Sequence, residues 1–221
     1  MPDDRMPLHT ADALVVRTYK LGEADRIVVF LTSDRGKRRG VARGARRPRS
    51  RYAGALEPLT LGRVAYFERE QRELVRLRYV EPVCSPLAAP SAEGLAHVGY
   101  FAELIDEWAP EADPNERLFR LGAAVVQALA TGVSVERLAR YFEYWLLRLQ
   151  GVYPSERGLN LSPAALAFLQ SARELPPARL DEASLPLPAE RELATAHQTL
   201  ITNHLEKHLK SLKVLNAVAS G

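Results

Sequence analysis

A single cysteine, Cys84, stands among the 221 residues. It has no partner for an internal disulfide and no companion thiols for a structural zinc site, so covalent and metal staples are excluded as sources of stability. Long apolar runs are also missing. No stretch approaches the roughly 20 residues that a membrane-spanning helix needs, and Met1 to Thr10 lack the apolar core of a secretory signal. The sequence therefore reads as a protein of the cell interior with no membrane partner. Catalytic signatures are equally scarce: GxSxG, HExxH, phosphate-loop and dinucleotide fingerprints do not occur. Glu103, Asp106 and Glu107 cluster in sequence without a partner motif and are expected on a solvated helix face. Cys84 lies between prolines and apolar residues, where it is expected to fill a small niche. Neither an enzyme nor a cofactor is expected. Aromatic residues make up only 7% of the chain.

Charge of one sign is in excess in each part of the chain. From Met1 to Pro82 there are 18 Lys and Arg against 11 Asp and Glu, a net of +7, whereas the remainder carries 12 against 16, a net of −4. Such a split suggests a basic module that meets a polyanion, joined to an acidic or neutral module with another task. Genome base content is the competing source of an arginine- and alanine-rich composition.

Apolar patterning divides the chain at the same place. Segments with strand character cover Ala11 to Tyr19, Arg26 to Thr32, Lys37 to Arg43, Leu56 to Phe67 and Glu73 to Val80. Ser33-Asp34-Arg35-Gly36 carries the Asp and Gly of a tight hairpin, and Gly22 marks the turn before it. Five short strands with a long irregular connection after the third suit a small closed barrel of OB type, because closure removes aggregation-prone edges. Beyond Pro82 the signals are helical. Ser91 can cap a helix reaching Trp108, and Asp113-Pro114-Asn115-Glu116 stand in capping-box order for another over 114–131. Leu138, Phe142, Trp145 and Leu149 draw an apolar stripe along a helix that starts at Val135 and ends near Gly151. Ser162-Pro163 starts a shorter helix, and a last long one is expected to carry Leu193 through Leu212. The fold class is thus α+β: an OB-fold barrel over 1–82 followed by a helical bundle over 83–221.

Nine of the seventeen residues from Arg35 to Arg51 are Lys or Arg and none is acidic. Gly36, Gly40, Gly44 and Pro48 interrupt the run and disfavour a helix. A phosphate-tracking strand and loop fits this pattern, since each guanidinium can engage two phosphate oxygens and released counterions supply salt-sensitive affinity. A solvated edge that protects the sheet is the bland alternative. Lys37, Arg38, Arg39, Arg43, Arg46, Arg47, Arg49 and Arg51 are the candidate DNA-binding residues, with Tyr52 either stacking on a base or buried at the barrel mouth. Of the strand aromatics Tyr19, Phe30, Tyr66, Phe67 and Tyr79, at least half are expected to fill the barrel. Lys207, Lys210 and Lys213 form a second basic patch on the last helix, readable equally as its solvated side. His204 and His208 have metal-ligand spacing, but no acidic or thiol pattern completes a site.

Several stretches together resemble the bacterial recombination mediator family RecO. They are Ala13-Leu14-Val15-Val16-Arg17, Gly22-Glu23-Ala24-Asp25-Arg26-Ile27-Val28, the run Gly36 to Pro48, Leu56-Glu57-Pro58-Leu59, Leu146 to Pro154, and Leu209-Lys210-Ser211-Leu212-Lys213. Their order and spacing carry the likeness over nearly the whole chain. The resemblance implies an N-terminal OB fold and a C-terminal helical domain. It further implies binding of single- and double-stranded DNA, annealing of complementary strands coated with single-strand-binding protein, and RecA loading together with RecR, in the bacterial cytoplasm at the nucleoid. Carried over by position, Lys37 to Arg51 belong to the DNA surface, with Arg17, Arg26 and the terminal lysines as further candidates. The family also recognises the acidic, hydrophobic tail of single-strand-binding protein, for which Arg137, Arg140, Tyr144 and Arg148 would form a cationic rim off the apolar stripe. Many relatives insert two CxxC pairs after the position of Tyr153-Pro154. Here Ser155 to Asn160 bridge directly to Leu161 without cysteine, so no zinc module is expected. Basic charge alone leaves two other readings open: an OB-type RNA-binding or ribosome-associated module, and an adaptor whose basic half meets an acidic protein.

Overall fold

A computed structural model describes residues 7–68, 73–86, 91–154 and 158–219. Five strands, β1 (Leu8–Leu21), β2 (Asp25–Thr32), β3 (Gly36–Ala42), β4 (Leu61–Phe67) and β5 (Leu74–Cys84), form a closed barrel in the order β1-β2-β3-β5-β4. All neighbours pair antiparallel except β3 and β5, which pair in parallel over three residues. This is the expected OB-type barrel. Closure depends on β1, whose first half pairs with β4 and whose second half pairs with β2, Ala13 and Leu14 belonging to both. A strand that serves two neighbours must bend, and β1 bends at a bulge between Val15 and Arg17. The bulge also reverses the side-chain parity. Ala11, Ala13 and Val15 face the barrel interior with Val28 and Phe30; beyond it Thr18 pairs with the interior Val28, so Arg17 and Tyr19 lie on the outer face.

Leu56 to Thr60, expected as strand, form turns instead, with Leu59 in a left-handed conformation at φ 58°. They still join the barrel: Leu59 N donates to Val15 O at 2.7 Å and Val15 N donates to Thr60 O at 2.9 Å. The interior is completed by Tyr52 and Ala55 from the same connection. On the outside, Leu14, Val29 and Leu31 are as buried as the interior set. Gly122 lies against that outer layer so closely that a Cβ would come within 2.7 Å of Leu14 Cδ1 and 3.0 Å of Ile105 Cδ1.

The helices are α1 (Ala92–Trp108), α2 (Glu116–Ala130), α3 (Val135–Leu149), α4 (Pro163–Glu174), α5 (Leu187–Leu205) and α6 (Ser211–Ala219), with a 3-10 turn at Pro177–Glu182. Two compact units result: Met1–Leu87 with Ala102–Ala123, and Ala88–Phe101 with Ala124–Gly221. Ser134 and Ser162 cap α3 and α4 by accepting from Arg137 N and Ala165 N. The last helix is not continuous as expected. It stops at Leu205, where Glu206 adopts φ 53°, and resumes at Ser211 after Leu209 has been buried.

A charged network occupies the core of the helical unit. Glu143 is fully buried; its Oε1 accepts from Tyr100 Oη at 2.8 Å and Arg140 Nη2 at 3.0 Å, and its Oε2 lies 3.1 Å from His197 Nδ1. A carboxylate can only accept, so His197 Nδ1 carries the proton and Nε2 faces Tyr153 Oη at 3.3 Å. Burial by itself would push the Glu143 carboxyl up. The Arg140 charge and the His197 and Tyr100 bonds outweigh it and hold the group below the ordinary carboxylate range. Glu143→Gln leaves the buried Arg140 with the longer 3.8 Å contact to Glu190 in place of its 3.0 Å carboxylate partner and should cost about 3–5 kcal/mol in urea unfolding. Because the folded-state pKa is depressed, Glu143 contributes stability above the ordinary carboxylate pKa, and that contribution is lost as pH falls through the lower folded value. The Gln variant should lose this segment of the acid-stability profile.

Candidate nucleic-acid interface

The basic run does not form one surface. Its first part lies on β3 and is matched by carboxylates from distant segments. Lys37 is only 7% exposed, and its Nζ donates to Asp106 O at 2.7 Å while lying 3.4 Å from Asp106 Oδ1 and 3.3 Å from Glu111 Oε1. Arg38 shares the interior register row with Phe30 and closes one end of the barrel against Glu68 at 3.2 Å, where Arg35 also meets Glu68 at 3.7 Å. Arg39 faces outward and donates to Glu111 Oε1 at 2.9 Å, an interaction that raises its already high pKa. Arg17 sits 3.3 Å from Asp106. Asp106, expected on a solvated helix face, is instead the anchor for two of the candidate cations. Nothing local marks such a partner, because Lys37 and Asp106 are 69 residues apart.

The second part is different in kind. Arg43, Arg46, Arg47, Arg49 and Arg51 are all exposed, and none forms an ion pair among the described residues. Their loop is nonetheless fixed. Gly44 N donates to Asp25 Oδ1 at 2.8 Å, Arg46 N to Ala24 O at 2.9 Å, and Arg46 Nη1 to Gly22 O at 2.8 Å, which ties the loop to the β1–β2 turn. Consecutive turns follow, with Arg47 N on Gly44 O and Ser50 N on Arg47 O. Gly44 at φ 71° and Arg49 at φ 65° reverse the chain direction. From Arg38 to Arg43 the strand advances about 16 Å, at about 3.3 Å per residue, so the matched and unmatched cations lie at opposite ends of β3.

Tyr52 anchors the far end of the loop, and of its two expected places, a base-stacking platform or the barrel mouth, it takes the buried one. It is 2% exposed, donates from Oη to Leu77 O at 2.9 Å, and burial pushes its phenol pKa up. The Arg51 guanidinium lies over its ring, 5.0 Å from the centroid. Phe30 and Tyr66 also fill the barrel, whereas Tyr19 and Tyr79 are exposed and Phe67 is half-buried. Arg26 is half-buried and donates to Thr18 Oγ1 at 3.0 Å.

The proposed rim on α3 is divided in the same way. Arg140 and Tyr144 are interior residues, at 4% and 0% exposure, because α3 is packed on more sides than a single stripe requires. Arg137 is held by Ala183 O at 3.1 Å and by Asp181 at 3.6 Å. Arg148 remains exposed; its Nη1 and Arg173 Nε both donate to Tyr144 Oη, at 2.9 and 2.6 Å. Two cations therefore converge on one phenol oxygen. At the C-terminal end, Lys207 and Lys210 lie in the connection between α5 and α6 and Lys213 lies in α6, so the three do not share a helix face. The same break separates His204 from His208. Among the described residues no group of three or more His, Cys, Asp or Glu could hold a metal ion, and no helix is long and apolar enough to cross a membrane. Residues 155–157, part of the bridge in which no zinc module is expected, lie outside the described residues. Cys84 is half-buried, and desolvation raises its thiol pKa, which disfavours the reactive thiolate.

Residues 6–86 match the family described as Recombination protein O N terminal, and residues 90–157 match Recombination protein O C terminal. The chain is 43% identical over 151 residues to a protein of Koribacter versatilis named DNA repair protein RecO, covering 66% of this chain and 60% of that protein. A protein of the same name from Pelotomaculum thermopropionicum is 37% identical over 163 residues, covering 73% of this chain and 62% of the relative. The chain thus spans about three fifths of the length of these two relatives. With the namesake from Anaeromyxobacter dehalogenans strain 2CP-C, at 30% identity over 240 residues, the match covers 93% of this chain and 94% of the relative. With an OB-type barrel over the first matched region and helices over the second, the chain belongs to the RecO family of recombination proteins.

Proposed function

We propose that this chain is a DNA repair and recombination mediator. It binds single- and double-stranded DNA through the sugar-phosphate backbone, anneals complementary strands coated with single-strand-binding protein, and acts with RecR to load RecA in the bacterial cytoplasm at the nucleoid. It works without catalysis and without a cofactor. The module over residues 1–82 meets DNA, and the helical domain over 83–221 meets protein partners. The observation that carries this reading is the loop with five exposed guanidiniums that no carboxylate of the described residues offsets.

Annealing requires two phosphate backbones to approach while base edges stay free to pair. A fixed row of cations lowers the repulsion between strands, and sequence-blind contacts let strands slide into register. Anchoring of the loop at Asp25, Ala24 and Tyr52 means that little conformational freedom is lost on binding. Arg38 and Lys37 contribute less, because a phosphate would have to displace Glu68, Asp106 or Glu111 first.

The test is the annealing rate of complementary oligonucleotides precoated with single-strand-binding protein, with and without the chain, at low and moderate salt. Salt-sensitive acceleration is expected. The Arg46→Gln, Arg47→Gln, Arg49→Gln triple variant should slow annealing, weaken binding alike across sequences and flatten the dependence of log K on log salt by about 0.7 per lost contact on single strands. An unchanged slope would contradict this placement of the DNA surface. On the helical side, Arg148 with Arg173 is the cationic element proposed for the acidic tail of single-strand-binding protein. Arg148→Glu should lower the affinity for a tail peptide in fluorescence anisotropy; unaltered affinity would place the tail elsewhere.

A further inference from the structure

The parity reversal at the β1 bulge places an aromatic ring where simple alternation would not. Tyr19 is 47% exposed, although in unbroken alternation it would follow Ala11, Ala13 and Val15 into the barrel interior. Its register partners run across the outer face: Tyr19 pairs with Ile27, Ile27 with Val41, Val41 with Arg76, and Arg76 with Phe67. The adjoining row, Thr18, Val28, Gly40 and Val75, is the interior one, and a Cβ on Gly40 would press on Leu77, Val75 and Phe30. Ile27, Val41, Arg76 and Phe67 are all partly exposed, and the Arg76 guanidinium lies 5.1 Å from the centroid of the Phe67 ring. Because the barrel is closed, this row runs around it, and the part beside the arginine loop is Tyr19, Ile27 and Val41, an aromatic ring and two aliphatic side chains on adjacent strands at about 4.8 Å per strand.

This row borders the unmatched cations. Val41 is two residues from Arg43, and Ile27 follows the Asp25-Arg26 corner that holds the arginine loop. Arg17 Nη1 lies 3.5 Å from Tyr19 Oη, which places a cation at the rim of the platform. A single strand whose phosphates run along Arg43 to Arg51 would lay its bases over apolar and planar groups; a duplex, with its bases stacked inside, has none to offer. We propose that the Tyr19–Ile27–Val41 row is a base-stacking track for single-stranded nucleic acid, with Tyr19 as its main platform. The inference rests on the DNA-binding reading of the adjacent loop and adds to it a means of distinguishing single strands from duplex.

The test compares the full chain with Tyr19→Ala and Tyr19→Phe on three probes of equal length: a single-stranded oligonucleotide, its duplex, and an abasic strand that keeps the sugar-phosphate backbone. Tyr19→Ala should weaken binding to the single strand roughly 5- to 150-fold, the range one stacked base supplies, while leaving its salt slope unchanged. Duplex and abasic affinities should not move, and Tyr19→Phe should retain the wild-type preference. Equal losses on all three probes, or no loss on the single strand, would overturn the proposal. Failure of the underlying reading looks different, since the unmodified chain would then show no salt-sensitive binding to any probe. Because Tyr19 is exposed, an unfolding midpoint of Tyr19→Ala matching the wild type checks that the barrel is intact.

Discussion

Nine cations within seventeen residues repel one another unless something offsets them, and in this barrel the offset is uneven. Glu68, Asp106 and Glu111 reach only the β3 end of the run. Lys37 can be buried because Asp106 and Glu111 surround its ammonium; without them the desolvation of a lone charge would expel it. Past Ala42 the compensation stops, and the remaining cations stand in solvent on a loop that side-chain and backbone hydrogen bonds hold in one shape. The unoffset charge of the basic run is therefore concentrated at the loop, which is where a polyanion would gain from displacing counterions.

The same strand arithmetic that closes the barrel also sets what its surface offers. β1 must bend to reach both β2 and β4, and a bulge is the cheapest way for a strand to bend. One extra residue turns the remainder of the strand over, so that Tyr19 and Arg17 leave the interior. Tyr52 takes up the space inside, its hydroxyl bonded to Leu77 O. Two tyrosines thus exchange the roles that their sequence positions suggest: the one next to the arginine run packs, and the one in the middle of a strand pattern faces out.

What could be read from the residues alone follows from the range of the interactions involved. Strand and helix periods are local, as are caps such as Ser134 and Ser162, and the barrel and most helices were legible for that reason. The OB-type barrel also left a mark in the long connection after the third strand. Long-range compensation left none: Arg38 and Arg47 look alike in sequence, and only Glu68, thirty residues on, separates them. On α3, helical spacing put Arg140 and Tyr144 off the apolar stripe, yet Glu143, Tyr100 and His197 draw Arg140 into a polar core, and Phe168 and Leu169 of α4 belong to the apolar cluster that buries Tyr144. The break at Glu206 has no proline or glycine to announce it; the burial of Leu209 accompanies it, and no local signal found it.

If carboxylate compensation decides which arginines hold the barrel and which meet DNA, two residues of the same run must fail in opposite ways. The decisive measurement pairs thermal unfolding with the salt dependence of single-strand binding for Arg38→Gln and Arg47→Gln. Arg38→Gln should lower the unfolding midpoint, by a stability loss of about 1 kcal/mol, and leave the salt slope as it was. Arg47→Gln should leave the midpoint in place and flatten the slope by about 0.7. A slope that flattens as much for Arg38→Gln as for Arg47→Gln would contradict the division of the run.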